Sequence, residues 1–292
     1  MTHYVWDFPK EIFHIGSYAP RWYGLMFAIG FMASFNIMKL IFVKEGRKVD
    51  DLSSLLTHLM VGVIAGARLG HCLFYAPEEY LANPIRILMV WEGGLASHGA
   101  SIGALLALWI YQRKHRDQSY MWLADRLAIG VALTASCIRI GNLFNSEILG
   151  KPSDVPWAII FADTHDNIPR HPAMIYESLS YLMLAGVLSL LYVKTKGEKR
   201  GQMLGLMLVW VFISRFFIEF IKENQVAFEN AMPINMGQIL SLPFIVLGFL
   251  LLSGKLLAWC PWLNYADAPL VVEAVKETKP KEKTKAKKSL AS

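Results

Sequence analysis

Charged side chains are scarce: they make up 18% of the 292 residues against 54% hydrophobic, and the mean hydropathy is +0.37. So little polarity excludes an ordinary soluble domain and indicates one integral, polytopic membrane unit. Cysteine is rare too. Cys72, Cys137 and Cys260 stand singly at no metal-ligand spacing, and two of them fall inside apolar runs, as small buried hydrophobes do. The chain has no His-Glu-x-x-His pattern, no carboxylate cluster on one helix face, no nucleotide loop and no Rossmann fingerprint, so no metal, no cofactor and no nucleic-acid partner is expected. Residues 1–20 lack the basic start and short apolar core of a secretory signal, and the first span is expected to be retained. No internal repeat is visible, which weakens the case for a transporter of duplicated halves.

The chain does have apolar runs. A helix needs about 20 apolar residues to cross the roughly 30 Å hydrocarbon core. Seven windows qualify: Tyr23 to Val43, Leu55 to Tyr75, Ser97 to Tyr111, Met121 to Ile140, Ala173 to Val193, Met203 to Ile221 and Gly237 to Ala258. The third is the shortest. Seventeen lysines and arginines follow the odd-numbered windows and six lie on the other side, so the positive-inside rule places the N-terminus outside and the C-terminus in the cytoplasm. The expected fold is an all-α polytopic membrane protein: an outer segment 1–20, a seven-helix transmembrane domain 21–258, and a lysine-rich tail 259–292, disordered from Asp267. An interfacial arm at 76–96 and a small external cap at 148–172, with four prolines from Gly150 to Pro172, are inserted in that domain.

Polar residues inside apolar windows carry the functional signal, because a charge at a membrane centre is disfavoured by about 2.5 to 3.5 kcal/mol or more. Arg139 and Asn142 share one face of the fourth window, with Asn145, Glu147 and Gly150 just beyond. Arg215 and Glu219 share a face of the sixth, as a self-satisfied pair or an anion site. Arg68 stands opposite a ridge of Gly62, Gly66 and Gly70, suited equally to a carboxylate partner or an anion. Guanidiniums on different helices repel unless an anion lies between them, and in a bilayer the obvious anion is a lipid phosphate, which arginine binds bidentately. His98, flanked by glycine, is a proton acceptor or a capped structural residue. Arg170-His171-Pro172 and Glu177 read as a helix boundary, with the helix dipole favouring the carboxylate. Tyr23 reads as an interfacial aromatic.

These residues resemble the prolipoprotein diacylglyceryl transferases of the bacterial inner membrane. The resemblance runs from about Pro20 to Leu257: Trp22-Tyr23-Gly24, Arg68-Leu69-Gly70, Trp91-Glu92-Gly93-Gly94 with His98-Gly99, Arg139 to Gly150, Arg170-His171-Pro172 with Tyr176-Glu177, Arg215 with Glu219, and Met236-Gly237-Gln238. The family signature Gly-Arg-x-Gly-Asn-Phe-x-Asn-x-Glu-x-x-Gly keeps every polar member. Ile138 and Leu143 depart from it, and Ala100 replaces a usual glycine after the histidine.

The resemblance implies transfer of the diacylglyceryl group of phosphatidylglycerol to the lipobox cysteine of a prolipoprotein, with glycerol 1-phosphate leaving. It implies that Arg139 and Arg215 clamp the headgroup and leaving phosphate, and that Asn142, Asn145, Glu147, Gly150 and Tyr23 shape the pocket. Glu219 and Arg68 would orient or neutralise neighbours, and His98 is the first candidate for the base. None of the three cysteines matches a family motif. An anion transporter or channel, and a hydrolase in which Glu147 or His98 activates water, are the rival readings.

Overall fold

The computed structural model describes residues 3–16, 19–224 and 232–265; the tail from Asp267, expected to be disordered, lies outside them. A short strand β1 (Tyr4–Trp6) precedes α1 (Trp22–Lys44), α2 (Val49–Phe74), the six-residue α3 (Pro77–Ala82), α4 (Ser97–Lys114) and α5 (Tyr120–Phe144). Strands β2 (Ile159–Phe161) and β3 (Pro169–Arg170) follow, then α6 (Ala173–Thr195), α7 (Gln202–Ile218), α8 (Met236–Leu252) and α9 (Lys255–Trp259). Each of the seven apolar windows holds a helix. Five are long and apolar enough to cross a membrane: α1, α2, α5, α6, and α7 with the turn after it. Helix α4 carries His98 in its first turn and ends in Gln112, Arg113 and Lys114, and α8 has 17 residues.

Two windows end differently from expectation. The sixth tightens into a 3₁₀ turn at Glu219–Ile221, and the seventh breaks at Gly254, whose φ of +73° turns the chain before α9. The fold is also not wholly helical. β1 pairs parallel with β2, Tyr4 opposite Ile159, and β2 pairs antiparallel with β3, Ile159 opposite Arg170, so the N-terminal segment and the 148–172 region form one small sheet. No apolar-length argument could show this, because three-residue strands have almost no periodicity. Beside β3, the Asp166 carboxylate accepts from the Ile168 N–H, Arg170 and Thr164, which holds its carboxyl down at about 2.

Small residues let helices close on each other. In α2, Gly62, Gly66 and Gly70 face Gly99 and Gly103 of α4 so tightly that a Cβ on Gly70 would meet the Gly99 Cα at 2.8 Å, and one on Gly103 would press into the Gly62 carbonyl. Hydroxyls add polar links: Ser34 to Gly130 and Thr134 between α1 and α5, and Ser136 to Ser178 between α5 and α6. At the end opposite the sheet, Glu45 accepts from Trp122 Nε1 (2.8 Å), Arg126 Nε (3.1 Å) and Tyr192 OH (2.9 Å), tying α1, α5 and α6. Buried Asp125 caps α7 from α5, accepting from the N–H groups of Gly201 (2.7 Å) and Leu204 (2.9 Å).

The α2–α4 contact leaves no room for side chains. Gly103→Leu should therefore lower stability by about 3 kcal/mol in detergent unfolding. Gly186→Ala, where a Cβ meets nothing within 4 Å, should change it by less than about 0.5 kcal/mol.

Candidate active site

The end of α5 sets the site's backbone. Ser146, at φ +54°, follows the C-cap Asn145 in the left-handed region; its N–H bonds to the Leu143 carbonyl and the Glu147 N–H to the Asn142 carbonyl. This is the Schellman closure, with serine where glycine is usual. It folds Glu147 back over the helix end, where its two carboxylate oxygens accept from Asn142 Nδ2 and Asn145 Nδ2, each at 3.0 Å. Ile148 is also left-handed, at φ +60°. Tyr23 of α1 packs on Gly141, where a Cβ would meet its ring at 2.9 Å, so the Gly141 position lets α1 reach the signature segment. Gly150 is a packing residue: its N–H bonds to the His171 carbonyl, and a Cβ there would strike that residue.

Glu177 of α6 joins this segment to the end of α7. Its side chain is 0% exposed, with Oε2 2.7 Å from Arg139 Nε and Oε1 3.5 Å from Lys222 Nζ. Lys222 in turn lies 3.2 Å from Glu219 Oε2, and the Glu219 carboxylate packs on Gly237. Arg139 also donates to Asn142 Oδ1 at 3.1 Å. Helix α8 is anchored alongside by a capping box between Asn235 and Gln238, and Gln238 Nε2 donates to the Phe216 carbonyl. The result is a chain of two cations and two anions, Arg139, Glu177, Lys222 and Glu219, that is neutral as a unit. One turn along α6, the Tyr181 hydroxyl lies in the combined field of Glu177, Arg139 and Arg215.

Arg215 does not pair with Glu219, one of the two arrangements that their shared helix face left open. Glu219 is taken by Lys222, and among the described residues Arg215 makes no ion pair or hydrogen bond. The structure thus brings together Tyr23, Arg139, Asn142, Asn145, Glu147, Arg215 and Glu219. A polar hollow of about 450 Å³ opens beside Glu147, lined also by Ser146, Ile148, Leu149, Glu223 and Asn224. The larger hollow, an apolar groove of about 630 Å³, lies along α2 and α4 and includes none of the arginines.

Arg68 and His98 stand apart. Arg68, 2% exposed, meets neither a carboxylate nor the arginine cluster: Nε donates to the Ile87 carbonyl at 3.1 Å and the other nitrogens to the Gly93 and Arg86 carbonyls, with Tyr80 beneath the guanidinium. It fastens the 76–96 segment to α2. His98 is exposed and packs its ring on Phe74 and Tyr75 of α2, with no hydrogen bond or ion pair to the arginine cluster among the described residues. Two members of the network escaped the sequence reading. Glu177 reads in sequence as a boundary residue, and Lys222 is one of the six cations counted on the side opposite the odd-numbered loops; the four-residue spacing of Glu177 and Tyr181 on one apolar helix is the available signal. Among the described residues no three His, Cys, Asp or Glu side chains converge as a metal site.

Removing one member of a buried ion network leaves the others uncompensated. Glu177→Ala should therefore lower stability by about 3 to 5 kcal/mol in detergent unfolding, and Glu177→Met with Lys222→Met should recover part of that loss.

Comparison with known proteins covers most of the chain. The family model described as prolipoprotein diacylglyceryl transferase matches residues 10–253. A relative from Tolumonas auensis, named phosphatidylglycerol--prolipoprotein diacylglyceryl transferase, is 46% identical over 252 residues, 86% of this chain and 97% of its own length. Proteins of the same name from Chloroherpeton thalassium, 44% identical over 86% of this chain and 94% of theirs, and from Porphyromonas gingivalis, 41% identical over 85% and 93%, agree. With the family match spanning every segment of the site, the chain belongs to the prolipoprotein diacylglyceryl transferase family.

Proposed function

We propose that this protein transfers the diacylglyceryl group of phosphatidylglycerol to the thiol of a prolipoprotein's lipobox cysteine. The observation that carries the reading is the Arg215 guanidinium, without an ion pair or hydrogen bond among the described residues, beside a network in which Arg139, Glu177, Lys222 and Glu219 match one another. Arg215 shares the surroundings of Tyr181 with Arg139, and two guanidiniums there suit an anion; a lipid phosphate supplies one with the bidentate geometry that arginine prefers.

In the reaction the cysteine S–H gives up its proton, the sulfur forms a bond to the terminal glyceryl carbon, and the carbon–oxygen bond to the phosphate breaks. Glycerol 1-phosphate departs with that electron pair. A thiol of pKa about 8.5 is mostly protonated at neutral pH, so a base is needed, and His98 is the candidate. Arg215 and Arg139 steady the phosphate as its charge develops. Asn142, Asn145 and Glu147 hold the α5 end in shape, Tyr23 closes it from α1, Glu219 fixes Lys222, and Arg68 positions the segment that leads to His98.

Membrane placement follows the same reading. The five long apolar helices, with α4 packed against α2 and α8 against α7, support seven crossings in a bacterial inner membrane. The cationic loops support a periplasmic N-terminus and a cytoplasmic C-terminus. The sheet and the 76–96 arm then lie on the periplasmic side, the arm exposing Leu81, Ile85, Leu88 and Trp91 to the interface. The named relatives carry transferase names, and none a transporter's.

Purified protein mixed with phosphatidylglycerol and a lipobox peptide should add one diacylglyceryl unit to the peptide, as read by mass spectrometry; free diacylglycerol or phosphatidic acid instead would indicate hydrolysis. In the same assay Arg139→Ala should abolish transfer while the protein still inserts in the membrane. His98→Asn should reduce turnover by about 10² or more if the imidazole takes the proton, and retained turnover would leave it a hydrogen-bonding role.

A further inference from the structure

At the end opposite the sheet, a second set of guanidiniums gathers around Glu45 and Trp122. Arg126, 2% exposed, donates to both Glu45 oxygens and to the Gly197 and Lys196 carbonyls. Arg47 lies 4.7 Å and Arg126 5.0 Å from the Trp122 ring centre, and Arg47 Nη1 donates to Asp117. Arg200 joins them from the α6–α7 loop, where burial and then Arg126 push its guanidinium below the usual arginine range. The carboxylates are committed elsewhere: Glu45 to Trp122, Arg126 and Tyr192, Asp125 to the Gly201 and Leu204 N–H groups, and Asp117 to Arg47. Arg200 makes no hydrogen bond or ion pair among the described residues, and its Nη1 and Arg47 Nε are both buried with no acceptor. The loop's own carboxylate, Glu198, is exposed and pairs with neither. Residues 44–48 and 196–200 together carry six cations and two carboxylates, so the two orphaned donors call for an acceptor that the protein does not supply.

We propose that Arg200, with Arg47 beside it, forms a second phosphate-binding site, at the far end of the bundle from Arg215. A phosphate offers the several acceptor oxygens that a fork of guanidinium donors matches. Free phosphate and a phospholipid headgroup share that chemistry, and the surroundings favour the headgroup. Leu40 and Val43 of α1 and Leu190 and Val193 of α6 are exposed apolar side chains shortly before the segments that bring these arginines, a surface over which acyl chains can lie. Held there, the lipid bridges the end of α1 and the α6–α7 loop and stabilises the fold in proportion to its occupancy. The proposal rests on the membrane placement argued above and makes no use of the transfer reaction.

The test uses the full chain in detergent and two probes, phosphatidylserine and inorganic phosphate, with affinity read by native mass spectrometry for the lipid and by the rise in unfolding temperature for both. Arg200→Gln should weaken binding about ten-fold or more. Arg200→Lys, which keeps the charge and loses the fork, should weaken it about three-fold. Lys199→Gln removes the same charge from the same loop at an exposed position and should change it less than about two-fold, as should Arg215→Gln. Weakening by Arg200→Gln with either probe upholds the site, and the probe that binds names the source. Binding of neither probe, equal weakening by Lys199→Gln, or weakening by Arg215→Gln and not by Arg200→Gln would overturn it. If Arg200→Gln fails to fold, the comparison of Arg200→Lys with Lys199→Gln decides. Transfer to a lipobox peptide is scored apart: lost transfer with intact binding counts against the reaction alone, and intact transfer with no binding against this site alone.

Discussion

Glu177 is a carboxylate with no exposed surface, and the end of the bundle that holds the signature segment is arranged around it. A bare charge at that depth would be strongly unfavourable, so it requires cations within reach, and α5 supplies Arg139 while the segment after α7 supplies Lys222. Those cations then fix what else can approach. Arg139 takes Asn142, Asn142 takes Glu147, and Lys222 takes Glu219. Three segments distant in sequence are locked by one network, and Arg215 of α7 has no ion pair or hydrogen bond among the described residues.

The positions of the helices were legible in the sequence because apolar length is a one-dimensional property: about 20 residues must be greasy, whatever they pack against. The ends were less so. Gly254 interrupts a run that hydropathy reads as continuous, and Glu219–Ile221 tightens where the chain leaves α7. The β1–β2–β3 sheet depends on pairing between residues 4–6 and 159–170, a non-local contact for which three-residue strands give almost no local sign.

The site divides in the same way. Arg139, Asn142, Asn145 and Glu147 are visible as neighbours because a helix end brings them together. Which charge answers which is a tertiary matter. Arg215 and Glu219 share a helix face by spacing, yet Lys222, three residues on, captures the carboxylate. Arg68, equally suited by sequence to a carboxylate or an anion, instead binds the carbonyls of Arg86, Ile87 and Gly93. At the opposite end, Glu45 lies one residue beyond α1, and its ties to Trp122, Arg126 and Tyr192 have no pattern in the sequence.

The central claim is that Arg215, which has no ion pair or hydrogen bond among the described residues, takes a lipid phosphate as its partner. Phosphatidylglycerol affinity measured by native mass spectrometry of the wild type and Arg215→Gln tests it most directly. The account predicts at least a ten-fold weakening, corresponding to about 1.4 kcal/mol, with the unfolding temperature unchanged. Equal affinity in the two proteins, or a large loss of stability without a change in binding, would contradict it.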